Sequence, residues 1–492
     1  MLDLRQAFNK RSYVEHFMSE KAMKNCTALV LLASTLLFAK PQFEKYFENK
    51  TLRIDYFHSG TAQTEIFSLD QVYEEGEWPG TRNQLINNLQ LGLYEAQLYD
   101  METSELIFNY GFCSIFGEWQ TTGEAINGIY RTMHETVRLP FPKKPVKFVI
   151  AKRDTNNNFM PIWSTSVDPN SRFVNREKKQ HPFKIIKDID NGLPFEKVDL
   201  LIMGDGYAKN ERKKFRRDIK HYINVLFESP PFSSRKQDFN VWSIEVISGQ
   251  SGIDEPRRNI WKDNALGSTF NSFDIERYVL TMENRRIRDI ASIVPYDALY
   301  ILFNASRYGG GGIYNCIATC YTGQPENAPD WWSDYVFVHE FGHSFAGLAD
   351  EYYSAEVAYN DMYPLHLEPW EPNITTLQMD GQPKWYNLLT PGLAIPTDWG
   401  KVTFDSLSGV RRSLSHSDAD YAKKKESLAA QINAILDADE LKGVVGCFEG
   451  GGYSSEGIYR PSINCRMFSK SVVEFCPVCQ NTIERVIDYY IK

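Results

Sequence analysis

The sequence has no long apolar run and no excess of basic residues. Its longest apolar stretch, residues 28–39, is about a dozen residues long, whereas a membrane-spanning helix needs about 20. The formal net charge is −9, and proteins that bind nucleic acid carry clustered positive charge instead. We therefore predict neither an integral membrane span in the mature chain nor a nucleic-acid partner.

Cysteine is also scarce, with 8 residues in 492. Cys476 and Cys479 form a Cys-x-x-Cys pair, but the sequence contains no second pair of this kind to complete a zinc knuckle. We therefore expect either a local disulfide or buried thiols at this position. Apart from Cys26, at the start of the apolar stretch, seven cysteines remain, and an odd number requires at least one free thiol.

The first 39 residues have the pattern of an export signal. Met23 and Lys24 precede the apolar stretch, which ends at the small residue Ala39. A basic start, a short apolar core and a small residue at the end are typical of a secretory signal peptide. We interpret residues 1–39 as an N-terminal segment with a signal peptide and with Met23 as the expected start; an uncleaved anchor or a buried helix would have a similar pattern. The protein is expected to be secreted, or to lie in the periplasm or at the cell surface of a bacterium.

Residues 40–166 contain short runs in which apolar and polar residues alternate, such as 52–56 and 146–150, separated by turn residues. This pattern predicts an antiparallel β-sandwich. Residues 167–183 are polar and show no periodicity, so we predict that they form a linker.

Residues 184–492 show strand-like apolar runs that alternate with helical patterns. The strand-like runs are 198–203, 241–247 and 298–303, and the helical patterns are 211–228, 272–290, 331–347, 413–439 and 474–490. Such alternation predicts an α/β domain with a mostly parallel sheet, and the whole chain is predicted to be an α+β multidomain protein. Four glycines, Gly309–Gly312, predict either a sheet edge along which another backbone could pair or a loop that needs free dihedral angles.

The run from His339 to His343, His-Glu-Phe-Gly-His, is the most informative motif in the sequence. On a helix the two histidines lie one turn apart on one face, so both rings can bind a single Zn²⁺ at about 2.0–2.1 Å. Glu340 then lies beside the open coordination position of the metal. Gly342 costs the helix about 1 kcal/mol relative to alanine, which predicts that another residue approaches the backbone there.

A catalytic zinc ion needs a third protein ligand and one open position. Gly347 is expected to end the helix in a left-handed conformation, and Asp350 follows three residues later. The spacing from glycine to ligand is that of the HExxHxxGxxH motif, with one additional residue before the glycine. Asp350 is therefore the predicted third ligand and Glu351 its alternative. A more distant glutamate, Glu368 or Glu371, is the third possibility.

The segments VHEFGHSFAGLADEYY (338–353) and YRPSINCRM (459–467) together resemble the bacterial immunoglobulin-A metallopeptidase family, whose members are zinc endopeptidases of the metzincin-like group. The resemblance covers roughly residues 183–492. It implies a metzincin-like zinc protease domain in which Met467 forms a methionine turn beneath the zinc. The tyrosine that some metzincins place two residues after this methionine is absent, because Ser469 occupies the position.

These features predict a secreted zinc-dependent endopeptidase that acts on a protein or peptide substrate. Glu340 is expected to take a proton from the attacking water and to deliver it to the leaving amine. Tyr352, Tyr353 and Tyr459 are the nearest candidates for the donor to the developing oxyanion. The alternative is an exported glycan- or protein-binding module with a vestigial metal site; the intact Glu340 argues against it, since a binding module has no need of a proton acceptor there.

Overall fold

The protein is described by a computed structural model over residues 42–180, 182–323, 331–353, 362–415, 417, 420–471 and 473–492. The predicted signal peptide, with Met23, lies outside these residues. Gln42–Lys492 cluster into one compact unit.

The N-terminal part of this unit contains two four-stranded sheets and three short helices. The strands are β1 (Phe47–Gly60), β2 (Glu65–Glu74), β3 (Tyr94–Asp100), β4 (Leu106–Phe112), β5 (Arg131–Pro142), β6 (Val146–Arg153), β7 (Phe159–Val167) and β8 (Val174–Asn175), and the helices are α1 (Phe43–Tyr46), α2 (Ile115–Trp119) and α3 (Gly123–Ile126). The strand orders are β5-β1-β2-β8 and β4-β3-β6-β7. All neighbouring strands are antiparallel except β2 and β8.

Side chains from both sheets fill one apolar cluster. Leu52 and Ile54 of β1, Leu98 of β3 and Phe148 of β6 are all fully buried in it. Because alternate residues of a strand point to one face, this burial accounts for the alternating pattern in the sequence. β8 lies within 167–183, so the segment predicted as a linker contributes a short strand to the first sheet.

A six-stranded sheet forms the centre of the C-terminal part. The remaining strands are β9 (Lys184–Ile189), β10 (Val198–Asp205), β11 (Phe239–Glu245), β12 (Ser268–Thr269), β13 (Leu280–Thr281), β14 (Ala298–Phe303), β15 (Gly310–Ile313), β16 (Ile317–Tyr321), β17 (Phe448–Gly451) and β18 (Ser454–Arg460). The large sheet has the order β15-β16-β14-β10-β11-β9, with four parallel central strands and antiparallel edge strands. β12 pairs with β13 and β17 with β18. The predicted, mostly parallel sheet is confirmed.

Six longer helices accompany these strands: α4 (Arg212–Glu228), α5 (Asn284–Ala291), α6 (Trp331–Ala346), α7 (Lys401–Ser413), α8 (Tyr421–Leu436) and α9 (Pro477–Ile491). Short 3₁₀ turns occur at Pro194–Glu196, Lys209–Glu211, Lys236–Asp238, Pro256–Arg258, Ser272–Asp274 and Tyr386–Leu388. Within the described part of the chain, no helix has the length and apolarity that a membrane span requires.

Two predicted helices differ from the observed ones. The helix predicted over 272–290 is wrong in its first half, which holds a 3₁₀ turn and β13, and α5 begins only at Asn284. Asn271 and Phe273 have φ angles of 66° and 55°, and a right-handed helix does not accommodate positive φ. In place of the helix predicted over 413–439, α7 ends at Ser413 and α8 begins at Tyr421.

Polar contacts join the N-terminal sheets to the C-terminal part. Arg53 Nη1 of β1 lies 2.8 Å from Asp289 Oδ1 of α5, and Cys113 N, just after β4, donates to Tyr314 O at 2.9 Å. The guanidinium of Arg53 is 1% exposed, so this ion pair is shielded from solvent and salt. The N-terminal sheets are thereby held against the edge of the large sheet that carries β15.

β15 lies flat against α6. A Cβ atom added to Gly312 would come within 2.4 Å of the carbonyl oxygen of Glu340 and 2.8 Å of Cβ of His343. Only a residue without a side chain allows the helix to approach the strand this closely. The glycine run is therefore a packing surface for the helix that carries the histidine motif.

The outer side of β15 is partly paired. Gly310 N donates to Arg277 O at 3.2 Å, and Val279 N donates to Gly310 O at 3.1 Å. Of the two interpretations of the glycine run, the structure shows a sheet edge.

Gly312→Ala is expected to destabilise the protein by about 1–3 kcal/mol, because the added methyl group overpacks the contact with α6. Gly409→Ala in α7 is the matched control: a Cβ there meets nothing within 4 Å, and the change should stabilise the helix by about 0.5–1 kcal/mol. Equilibrium unfolding in urea measures both. A Gly312→Ala protein as stable as the unsubstituted one would contradict the packing described here.

Candidate metal centre

α6 places two imidazole rings side by side. His339 Nε2 and His343 Nε2 lie 3.1 Å apart, since residues four apart in a helix share one face. His339 is 5% exposed, and both rings line the same cleft.

A chain reversal returns a carboxylate to the two rings. α6 ends at Ala346, and Gly347 follows with a φ of 62°, the left-handed conformation that the sequence predicts. Asp350 Oδ1 then lies 3.1 Å from His339 Nε2 and 3.3 Å from His343 Nε2. Three ligand atoms from two nearby segments thus form a nearly equilateral triangle.

The triangle fits a tetrahedral metal ion. Two ligands at about 2.0–2.1 Å from a tetrahedral zinc lie about 3.3–3.4 Å from each other, close to the three observed separations of 3.1–3.3 Å. Asp350 Oδ1 is buried, and no donor among the described residues is aligned to hydrogen-bond with it. Two imidazole nitrogens and a carboxylate oxygen with an unsatisfied lone pair are donors that a divalent cation binds.

The outer atoms of the histidines fix their tautomers. His339 Nδ1 lies 3.1 Å from the carbonyl oxygen of Arg466, and His343 Nδ1 lies 2.5 Å from that of Leu348. A carbonyl oxygen can only accept, so each Nδ1 carries a hydrogen and each neutral ring directs its Nε2 lone pair to the centre. Tyr453 Oη donates to Asp350 Oδ2.

The charges at the centre are strongly coupled. Burial alone would lower the pKa of His343, but Asp350 raises it to about 9. Burial alone would raise the pKa of Asp350, but His343 and His339 hold it well below the usual range. The centre therefore favours positive charge beside the Asp350 carboxylate, at the position where a metal would bind.

Glu340 faces the same cleft from the next position on α6. Burial raises the pKa of its carboxyl group above the usual value, although the neighbouring histidines and Arg277 lower it. No described residue donates a hydrogen bond to its carboxylate. A half-buried carboxylate with a raised pKa and no fixed partner is suited to accept and release a proton.

Arg277, Tyr308 and Lys470 also lie beside Glu340, and nothing in the sequence around the motif predicts them. Arg277 Nη2 lies 3.4 Å from Tyr352 Oη, and Lys470 Nζ lies 3.8 Å from the ring centre of Tyr308. Burial, with the nearby Arg277, lowers the pKa of Lys470 to about 8. These groups give the cleft positive charge and hydrogen-bond donors next to the proposed proton acceptor.

Met467 lies beneath the motif helix and is fully buried. A Cβ atom on Gly342 would come within 3.1 Å of the Phe475 ring and 3.3 Å of Met467 Sδ. The prediction that a residue approaches the helix backbone at Gly342 is confirmed. Met467 O also accepts from Glu351 N at 2.8 Å, so its segment supports the chain just after Asp350.

The cleft has a volume of about 1420 Å³ and is lined by both parts of the protein. Ser114, Glu118 and Asn157 from the N-terminal part face it, together with His339 and Glu340. A cleft of this size can hold several residues of an extended chain.

Two family models match the chain. The model described as IgA Peptidase M64 matches residues 186–487, and that described as Peptidase M64 N-terminus matches residues 42–164. The chain belongs to the IgA peptidase M64 family. The resemblance in the sequence is thereby confirmed, and family membership indicates a metallopeptidase, an enzyme with a protein substrate. Among curated proteins no match is found.

In this M64 peptidase the alternative third ligands lie away from the two histidines. Glu351 Oε1 accepts from Asn373 Nδ2 at 2.9 Å, Glu368 Oε1 lies 3.5 Å from Lys384 Nζ, and Glu371 accepts from Tyr363. Only Asp350 has an oxygen grouped with both imidazoles among the described residues.

The other predicted candidates have separate partners. Tyr353 Oη donates to Asp405 at 2.6 Å. Ser469, which occupies the position of the absent metzincin tyrosine, donates from Oγ to Asn464 at 2.6 Å. The backbone of Tyr459 pairs with that of Thr375. Of the three candidate tyrosines, Tyr352 is the one whose hydroxyl meets a guanidinium of the cleft.

Tyr453→Phe is expected to weaken metal binding by about 10–100-fold, because it removes the hydrogen bond that orients Asp350. Competition with a chromogenic chelator measures the dissociation constant. Tyr130→Phe, at a residue that is 66% exposed, is the control and should leave the constant unchanged. Equal affinity in Tyr453→Phe and the control would show that this hydrogen bond does not position the carboxylate.

Proposed function

We propose that this M64 peptidase is a zinc endopeptidase whose metal is held by His339, His343 and Asp350. The observation that supports this most is the triangle of ligand atoms, with separations of 3.1–3.3 Å, next to Glu340 in an open cleft. Two nitrogens and one oxygen leave a fourth tetrahedral position for water or substrate, as catalytic zinc sites require.

A zinc ion in this position would polarise the scissile carbonyl and lower the pKa of a water molecule to about 7. The imidazoles and the carboxylate of the chain hold it through atoms whose other sides are already hydrogen-bonded, which fixes their direction.

Glu340 moves the proton. Its carboxylate accepts a hydrogen from the attacking water and then donates it to the amine nitrogen that leaves. Burial, which raises the pKa of this carboxyl group, makes the first transfer easier, because it stabilises the protonated form relative to the carboxylate.

Tyr352 and Arg277 act on the carbonyl oxygen of the substrate. Arg277 Nη2 donates to Tyr352 Oη at 3.4 Å, and this contact orients the hydroxyl. Both residues line the cleft that contains the proposed metal ligands. A hydroxyl donor near a guanidinium stabilises negative charge that develops on an oxygen.

The finer fold and the location are also part of this proposal. The two N-terminal sheets share one apolar cluster, which supports a β-sandwich, and the motif helix above the Met467 segment supports a metzincin-like catalytic domain. The leader pattern in residues 23–39 supports export.

Glu340→Gln should retain the metal and lose peptide hydrolysis by at least about 100-fold, because the amide cannot accept the proton. The test compares metal content and cleavage of a quenched fluorescent peptide library. Glu456→Gln, at an exposed position, is the control with unchanged activity. Substantial turnover in Glu340→Gln would overturn its role.

Tyr352→Phe should lower kcat by about 100–1000-fold with a smaller effect on KM, since the lost donor serves the transition state. Tyr459 does not line the cleft, so Tyr459→Phe should change neither kcat nor KM. If kcat in Tyr352→Phe stays within a factor of about two, the oxyanion donor must be another group.

A further inference from the structure

Behind the candidate metal centre lies a second cluster of potential ligands, formed by Glu351, Cys465, Cys476 and Cys479. Their four ligand atoms lie within 4.8 Å of one another. All four residues are buried, and Glu351, Cys465 and Cys479 are fully so. We call this group the cysteine cluster.

Its distances match a tetrahedral sulfur site. Cys465 Sγ and Cys479 Sγ lie 3.9 Å apart, close to the about 3.8 Å expected for two thiolates at about 2.3 Å from zinc. Cys479 Sγ lies 3.2 Å from Glu351 Oε1, shorter by about 0.4 Å than a sulfur and an oxygen bound to one tetrahedral zinc ion. All three cysteines are free in the structure.

Backbone N–H groups and a helix N-terminus face the sulfur atoms of the cluster. Met467 N and Cys476 N point at Cys465 Sγ, at 3.5 and 3.2 Å, and N–H groups directed at sulfur stabilise its anion. Cys476 is the N-cap of α9 and Cys479 lies in its first turn, where the helix dipole favours negative charge.

The carboxylate points to a missing partner. Glu351 is fully buried, and its Oε2 has no hydrogen-bond partner among the described residues. A buried carboxylate oxygen without a partner is costly, even though the other oxygen, Oε1, accepts from Asn373 Nδ2. A cation at the centre of the four ligand atoms would provide the missing charge.

We propose that the cysteine cluster is a structural metal site for a thiophilic divalent cation, with zinc as the ion that suits a closed set of three thiolates and one carboxylate. The Cys476–Cys479 pair lacks a second Cys-x-x-Cys pair, but the fold supplies Cys465 and Glu351 in its place. The ion would tie the segment after Asp350 and the Met467 segment to α9, and so hold the third catalytic ligand from behind.

The experiment measures metal per chain by inductively coupled plasma mass spectrometry on the full chain purified with zinc. The unsubstituted protein should hold two zinc ions, His343→Ala one, and Cys476→Ala one or none. Cys447→Ala, which removes another buried cysteine outside the cluster, should hold two. These outcomes separate the two sites. If zinc binds only at the cysteine cluster, the unsubstituted protein and His343→Ala will contain equal amounts of zinc.

Cobalt substitution of His343→Ala needs no cysteine variant and covers the case in which Cys476→Ala does not fold. The expected result is the intense thiolate-to-cobalt charge-transfer absorption of a sulfur-rich tetrahedral site. Folded His343→Ala without bound metal, a cobalt spectrum without that absorption, or a disulfide between cluster cysteines in the mass spectrum of unreduced protein would each overturn the proposal.

Discussion

The approach of one buried carboxylate oxygen to two imidazole nitrogens is the interaction on which the rest of the site depends. Asp350 Oδ1, His339 Nε2 and His343 Nε2 lie within 3.1–3.3 Å of each other, although with both rings neutral and protonated on Nδ1 all three atoms would present only lone pairs to one another. A metal or a proton must balance them. The fold maintains this arrangement by hydrogen-bonding the far side of each ring to a carbonyl oxygen.

The packing around α6 shows how the chain maintains this arrangement. Gly312 lets β15 contact the helix on one side, and Gly342 lets Met467 and Phe475 contact it on another. The positive φ of Gly347 turns the chain so that Asp350 returns to the helix it has just left. Interiors packed this closely transmit small displacements, so residues that never touch substrate determine where the ligands lie.

The motif helix, its glycine stop and the approach of Asp350 to the two histidines could be predicted because each depends on residues close together in sequence. The parallel sheet followed from apolar runs of the right length. Arg277 and Lys470 could not be predicted, since they lie far from the motif and the tertiary fold brings them to Glu340. The interruption before α5 was also missed, because positive φ at Asn271 and Phe273 has no periodic signature. Cys465 joins Cys476 and Cys479 only through the same long-range contacts.

The most direct measurement is anomalous diffraction from crystals of the full chain, with data collected on both sides of the zinc absorption edge. The account predicts a zinc peak about 2.0–2.1 Å from His339 Nε2 and His343 Nε2 and from one oxygen of Asp350. A zinc peak bound by the two histidines and by Glu368 or Glu371 would contradict the ligand set. The absence of any metal between the two rings in active protein would contradict the account as a whole.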